Sequence, residues 1–445
     1  MSEDIKRKAT RPTPTITRIA VTDYKSIGTE CSMEIKPLTV LAGANSSGKS
    51  SIVQPLLLLK QTLEATYDPG ALKLTGANVR YSSGEQLLCK IPSRSNPQGF
   101  SVAISTGKEN WRCHYIWIRE KGFELAKMEG NIDGKPTVFS PGTQITDIDQ
   151  LSSFGYPKDF LSGMHFEWST VRDRCFIQLQ GRRKESKSPE IKFPLVSTLA
   201  NTIRGIIHLP GLRGNPERTY PVTAVADTFS GTFQEYTASV IADWQASSEK
   251  GKLANLGKEL MKLSLTWKVM AIPQNDTQVE LKVGRLPHPI RGGARDLVSI
   301  ADVGLGVSQT LPVLVALHVA KPGQLVFLEQ PEIHLHPRAQ MALANVLASA
   351  ANRDVVVIVE THSSILLRGI QTAVAEKRIC SEKVSLNWFN RNEDSGQTEC
   401  VAGTLDKSGA FGNWPEDFDE ITLESEKRFM DANEASQNRE HAIQT

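Results

Sequence analysis

Gly43-Ala-Asn-Ser-Ser-Gly-Lys-Ser-Ser51 is the stretch whose reading decides the fold. It fits the pattern Gly-x-x-x-x-Gly-Lys-[Ser/Thr], follows the strand-like run Leu38–Ala42 and precedes an apolar helical run from Ile52 to Leu63. Strand, glycine loop and helix in that order make a phosphate cradle. Loop amides and the positive end of the helix both face anionic oxygens. Gly43, Ala44, Asn45, Ser46, Ser47, Gly48, Lys49, Ser50 and Ser51 are therefore the candidate nucleotide contacts. Gly43 and Gly48 allow backbone conformations closed to residues with a Cβ, and they let amides approach phosphate closely. Lys49 is placed to reach the β- and γ-phosphates of ATP, and Ser50 to hold Mg2+ through its hydroxyl. Pro55 inside the helical run removes one amide and predicts a bend.

The rest of the chain sets bounds. Its 445 residues suffice for roughly two or three domains with a large core. The net charge of +2 does not announce nucleic acid. The basic triplet Arg182-Arg183-Lys184 leaves that ligand open, although a solvated loop explains it as well. Six cysteines are scattered without a Cys-x-x-Cys pair, which gives zinc little support and fits a reduced, cytoplasmic protein. No apolar run has the length of a membrane span. Residues 1–14 are polar and basic, which predicts a flexible lead-in rather than a signal peptide.

Along the chain, Ile16–Val21 and Cys31–Ile35 alternate like strands, so residues 15–90 read as the first lobe of a nucleotide-binding head whose sheet begins at the N-terminus. Residues 91–294 read as an insert. Short strand-like runs such as Phe100–Ser105 and Trp111–Ile118 come first, separated by turn clusters such as Asn131–Gly134. Helical patterning follows in Leu195–Leu209 and Phe233–Leu263, and strands return in Leu265–Val283. Residues 295–424 read as the second lobe. Val307–Val319 is an apolar helix, and Leu325–Leu328 and Val355–Val359 are continuous apolar runs suited to central parallel strands. The helix Arg338–Ala350 between those runs completes a βαβ unit. Residues 425–445 are a charged tail. The expected fold is α/β, a P-loop NTPase with a mixed sheet and an inserted β/α region.

Gln324-Leu-Val-Phe-Leu-Glu329 is a buried strand ending in an acid, the usual place for a carboxylate that holds Mg2+ opposite Ser50. The run Glu329-Gln-Pro-Glu-Ile-His-Leu-His-Pro337 is more specific. It resembles the Glu-Glu-Pro-Glu-x-His-Leu-His-Pro signature of the ABC-type AAA ATPases of the OLD, RecF and SMC group. Glu360-Thr-His-Ser363 looks like that group's H-loop, and Ala301-Asp-Val-Gly-Leu-Gly-Val-Ser-Gln309 is similar to its signature loop. The likeness covers roughly residues 15–90 and 295–420. His208–Tyr220 and Asn413–Asp419 resemble motifs of a bacterial subfamily of standalone ABC-type ATPases found in anti-phage defence modules. The PtuA ATPases of the Septu system, paired with an HNH nuclease, are the nearest named analogues.

The resemblance implies that His362 contacts the γ-phosphate and that Gly304, Gly306 and Ser308 complete the site of another subunit. Nucleotide would then join two copies, giving a homodimer or higher homo-oligomer. Two departures stand out. Gly304 lies where the group usually has a serine, with Ser308 as a substitute hydroxyl. Gln330 lies where the group often has the acid that polarises the attacking water, so hydrolysis is expected to be slow unless Glu332 serves instead. His334 and His336 form an H-x-H pair, but Pro331 and Pro337 mark a loop rather than a zinc-binding strand. Arg213 and Arg218 sit in a Gly/Pro-rich loop where they either meet phosphates or pair with carboxylates. No Asp-x-Asp with an upstream Glu follows the ATPase end, and no long coiled-coil arm or HNH cluster is evident, so the sequence shows no cutting machinery of its own, and the resemblance implies a separate nuclease or toxin as effector. The expected function is an ATP-binding, slowly hydrolysing regulator of such an effector. A DNA-repair or chromosome-maintenance ATPase acting directly on DNA is the first alternative, and a nucleotide-dependent scaffold with little turnover is the second.

Overall fold

The computed structural model describes residues 15–91, 96–107, 109–132, 135–146, 166–183, 190–247, 249–289, 295–412, 424 and 427–433. The expected lead-in 1–14, the motif Asn413–Asp419, Lys184 of the basic triplet and most of the tail lie outside the described residues.

A six-stranded sheet carries the site. Its order is Ile207–Leu209, Leu325–Glu329, Val356–Glu360, Leu38–Gly43, Val384–Arg391 and Thr398–Gly403. The neighbours pair in parallel except for Thr398–Gly403, which runs antiparallel at one edge. Leu38–Gly43 and Val356–Glu360 are buried at every position, as parallel strands covered on both faces must be. Alternate side chains feed two separate cores. Leu38, Val40, Val326, Leu328, Val357 and Val359 pack with the helices Leu305–Val319, Pro337–Asn352 and Ser364–Ala375. Leu41, Leu325, Phe327 and Ile358 pack with the helix Lys49–Leu63 and a second, antiparallel sheet. Each buried Val or Leu contributes about 1.5–3 kcal/mol, so the sheet is anchored from both sides.

The second sheet also has six strands, in the order Cys31–Glu34, Ile16–Thr22, Gly99–Thr106, Asn110–Ile118, Gly122–Ile132 and Lys135–Phe139. The two N-terminal strands, read from sequence as the start of the nucleotide-binding sheet, belong here instead. Cys31–Glu34 alternates buried and exposed positions, a pattern for a sheet with one wet face, whereas Leu38–Gly43 has no exposed position. The pairing of Ile16–Thr22 with Gly99–Thr106 also runs across the sequence-based division at residue 90. Leu195–Leu209 is not one helix. The helix Ser197–Arg204 ends at Gly205, and Ile207–Leu209 becomes the outer strand of the central sheet. Ile207 and Leu209 are fully buried against that sheet, and this tertiary contact overrides the helical patterning.

Among the described residues no helix is long and apolar enough to cross a membrane. Lys60, on the helix that follows the glycine loop, is completely buried. Its ammonium donates to the Arg204 carbonyl at 3.1 Å and the Phe229 carbonyl at 2.8 Å, and it pairs with Glu64. That lysine ties the first lobe to the insert.

Candidate nucleotide site

The glycine loop leaves the strand at Gly43 with φ 142° and enters the helix at Gly48 with φ 96°. Neither position admits a side chain. A Cβ on Gly43 would lie 2.1 Å from the Phe389 carbonyl oxygen, and one on Gly48 would lie 2.2 Å from Thr398 Oγ1. Ser46 also has a left-handed backbone, at φ 62°. The loop is therefore held open by backbone conformation on one side and by the neighbouring strands on the other. Ser47 is buried, and its hydroxyl has no hydrogen-bond partner among the described residues. Lys49 is buried and folds back onto the loop, donating to the Gly43 carbonyl at 3.0 Å and the Ala44 carbonyl at 2.6 Å. Burial lowers its pKa to about 8, with the Glu360 charge opposing. His362 lies against the Gly43 carbonyl and near Lys49. Burial first, and then the Lys49 charge, hold its imidazole below the ordinary range.

Three carboxylates cluster beside this loop, two at adjacent strand ends and one in the turn that follows Leu325–Glu329. Glu329 and Glu360 are register partners in the parallel pair, so each ends its strand at the same level. Ser50, the candidate magnesium ligand, donates its hydroxyl to Glu360, at 3.0 Å to Oε1 and 2.8 Å to Oε2. Burial is the main reason the Glu360 carboxyl is pushed up, and the charges of Glu329 and Glu332 add to it. Glu329, read from sequence as the acid opposite Ser50, is engaged elsewhere. Its Oε1 meets His208 Nε2 at 3.1 Å, and its Oε2 accepts the Gly211 amide at 3.1 Å. Burial pushes the Glu329 carboxyl up, but His208, the Gly211 amide and Arg213 outweigh it and hold the group low.

Glu332 is buried and accepts from the Thr361 hydroxyl and, at 3.3 Å, from the His362 amide. It thus fixes the loop that carries His362. Its other oxygen has no hydrogen-bond partner among the described residues, and burial pushes its carboxyl up. Gln330, with φ 45°, donates its backbone N–H to the Glu360 carbonyl at 2.8 Å, and the residue is half-buried. The H-x-H pair has a structural use: His336 Nδ1 accepts the Arg338 amide at 3.3 Å and caps the helix Pro337–Asn352.

His208 is the side chain that sequence reasoning did not assign. It is 1% exposed, stacks on Phe327 with ring centroids 5.5 Å apart, and meets Asn78 Oδ1 at 3.0 Å. The loop that follows it crosses from the acids to the signature segment. Arg213 Nη2 donates to the Glu329 carbonyl at 2.8 Å, while its buried Nε and Nη1 have no hydrogen-bond partner among the described residues. Burial lowers this guanidinium to about 10. Gln309 donates to the Gly214 carbonyl at 2.6 Å, and Arg218 pairs with Asp302 at 2.9 Å. Gly304 caps the helix Leu305–Val319 with open space where a Cβ would project, and Ser308 Oγ turns back to the Leu305 carbonyl at 3.2 Å. Gly306 lies against the His334 carbonyl, 3.4 Å from where its Cβ would be. The structure thus joins Lys49, Ser50, Glu360, Glu329, Glu332 and His362 around one loop. Gly304, Gly306 and Ser308 sit on a separate helix start, linked to Glu329 through residues 208–218.

Comparison with known proteins bears on the fold that carries this site. Residues 278–368 match a family model described as "AAA domain, putative AbiEii toxin, Type IV TA system". Over 89% of this chain and 98% of that one, the structure superposes on an Smc head domain with an extended coiled coil, bound to the C-terminal domain of ScpA, from Pyrococcus furiosus. The TM-score is 0.50 at 12% identity. The chain has the fold of an SMC ATPase head. An SmcHead bound to the C-terminal winged-helix domain of ScpA gives TM-score 0.47 at 13% identity over 89% of this chain and 99% of that one. The SMC head domain of Thermotoga maritima gives 0.39 at 10% identity over 87% and 98%. No curated protein matches the chain.

The residues present fit ATP and Mg2+. The loop combines glycines that admit no Cβ, a buried lysine and an unpartnered hydroxyl at Ser47. The donors beside it, a serine hydroxyl and carboxylates, are the hard oxygen ligands that Mg2+ prefers.

Proposed function

We propose that this chain is an ATP-dependent switch that binds MgATP at residues 43–51, pairs with a second copy and hydrolyses slowly to control a separate effector. The observation that carries the reading is the junction of Lys49 and Ser50 with carboxylates at two neighbouring strand ends. When nucleotide binds, Lys49 exchanges two carbonyl partners for phosphate oxygens. Bound Mg2+ would be held by Ser50 with Glu329 or Glu360 and would supply charge neutralisation at the phosphates. His362 is placed to meet the terminal phosphate from beside Gly43.

Slow turnover follows from Gln330. A glutamine orients water but takes no proton, and it replaces the acid expected there. Glu332, with one unpartnered oxygen and a raised pKa, is the nearby group able to accept one. Glu332→Gln is expected to lower phosphate release further. An unchanged rate would remove Glu332 from the reaction.

Pairing of two copies is supported by the outward face of the signature segment. Leu305 is 42% exposed, Ile333 46% and Leu212 83%, and these apolar side chains flank Gly304 and the acids. A second copy bringing its own glycine loop would cover them. The likeness of residues 278–368 to an AbiEii-type family supports a role in bacterial conflict, and the defence-module resemblance of residues 208–220 points the same way. The effector would be a nuclease or toxin encoded beside this chain. Sedimentation velocity tests the reading: a monomer without nucleotide and a dimer with ATP and Mg2+ are expected, with phosphate release at a low rate. A sedimentation coefficient indifferent to ATP would contradict it. Tight DNA binding by the purified chain at physiological salt would favour a DNA-directed ATPase instead.

A further inference from the structure

We infer that Glu360, at the end of the strand Val356–Glu360, is the protein carboxylate that holds the nucleotide's divalent cation together with Ser50, while Glu329 acts as a positioning residue one strand away. The inference rests on the nucleotide-site reading above and specifies its metal ligand.

In a P-loop site the cation sits against the hydroxyl of the serine after the lysine. The acid on that hydroxyl is Glu360, with both oxygens within 3.0 Å of Ser50 Oγ. Octahedral Mg2+ bonds its oxygens at about 2.0–2.1 Å, so two adjacent ligands lie about 2.9 Å apart. The Ser50–Glu360 separations of 2.8 and 3.0 Å already match that edge. A cation beside that edge would be held by a lone pair of the Ser50 hydroxyl, which keeps its proton and turns it away from Glu360, and by a Glu360 oxygen.

Glu329 is committed differently. One oxygen meets His208 and the other accepts the Gly211 amide. Freeing it for a metal would leave the His208 nitrogen, which is fully enclosed, short of a partner. Its fixed charge lies beside Glu360 in register and backs the cation from the second strand. Glu360 itself is 6% exposed, and among the described residues its hydrogen-bonded side-chain partner is Ser50. An acid buried at that cost, with two like charges nearby, is a poor structural choice and a good cation ligand.

The test is titration of a fluorescent ATP analogue into the full chain, in EDTA and across a Mg2+ series, for wild type, Glu360→Gln and Glu329→Gln. Metal-dependent electron paramagnetic resonance with Mn2+ gives a second readout. Glu360→Gln is expected to raise the cation concentration for half-maximal effect about 10–100-fold and to leave affinity in EDTA unchanged. Glu329→Gln should shift it less than about 3-fold. An unchanged metal requirement in Glu360→Gln, or a larger shift in Glu329→Gln, overturns the assignment. Absence of nucleotide binding by wild type, with or without metal, would instead overturn the nucleotide-site reading. If Glu360→Gln does not fold, Glu360→Asp keeps the charge and shortens the reach, and Ser50→Ala should give the same metal shift. Normal metal dependence in both would also overturn it.

Discussion

Residues 43–51 carry their chemistry in one unbroken run, whereas the acid that touches Ser50 arrives from 310 residues further along the chain. The loop is fixed locally. Positive φ at Gly43 and Gly48 and the absence of room for a Cβ determine its shape. The acids are fixed globally, by the parallel register that sets Glu329 level with Glu360 and by the loop 208–218 that takes hold of Glu329. The first kind of site is specified by residue type at fixed spacing. The second is specified by which strand lies beside which. A perturbation of the loop should therefore abolish binding, and one of the acid side should leave binding and damage chemistry.

The sharpest break is Gly43→Val. The obstructing atom, 2.1 Å from the added Cβ, is a backbone carbonyl of the neighbouring strand, and the residue sits at φ 142°. Loss of nucleotide affinity by more than about 100-fold is expected, since the loop would have to leave its strand. Equilibrium binding with a thermal unfolding control reads this. His208→Ala comes next. It should cut phosphate release about 10–100-fold through misplacement of Glu329, while affinity for ATP in EDTA stays within about 3-fold. It should also destabilise the fold by about 1–3 kcal/mol, because Asn78 and Glu329 lose a buried partner. Equal losses in binding and turnover would erase the distinction between the two regions.

The charge of Lys49 sharpens the comparison from the loop side. Its pKa near 8 in the free protein means that it is charged below pH 8 and increasingly neutral above. Phosphate oxygens favour the charged form, so binding raises that pKa. ATP binding at pH 9 should take up close to one proton, and at pH 6.5 none from this group. Calorimetry in buffers of different ionisation heat measures the difference. Arg218→Ala should do least. Its pair with Asp302 is exposed, with side chains 72% and 46% accessible, so the stability change stays below about 1 kcal/mol. A large loss of ATP-dependent dimer formation in that variant would show that the 208–218 loop transmits more than its contacts suggest.

The legible parts follow the same division. The strand Leu38–Gly43, the glycine loop and the helix after it were readable because periodicity and motif spacing are local. The α/β class followed from two buried apolar runs near the C-terminus. Both runs, Leu325–Glu329 and Val356–Glu360, end in glutamate. That repetition was the available signal for a second acid. Sequence alone sets Glu329 opposite Ser50 across Mg2+ and is silent on the contact of Ser50 with Glu360, because adjacency of strands is invisible until the sheet is assembled. The short strand Ile207–Leu209 was hidden within a helical pattern, and His208 with it. His208 opens a segment that carries a family resemblance, but its role is not legible until the structure sets Glu329 3.1 Å away. Residues 16–34 were assigned to the wrong sheet because alternation marks a strand but not its partner.

Titration of a fluorescent ATP analogue with Mg2+ into wild type and Lys49→Ala tests the central claim most directly. Saturable binding by wild type is expected, weakened at least about 100-fold in the variant while its thermal unfolding midpoint is retained, because among the described residues the hydrogen bonds of the removed ammonium go to loop carbonyls in the free protein. Equal binding by the two proteins, or none by wild type, would contradict the assignment of residues 43–51 as the nucleotide grip.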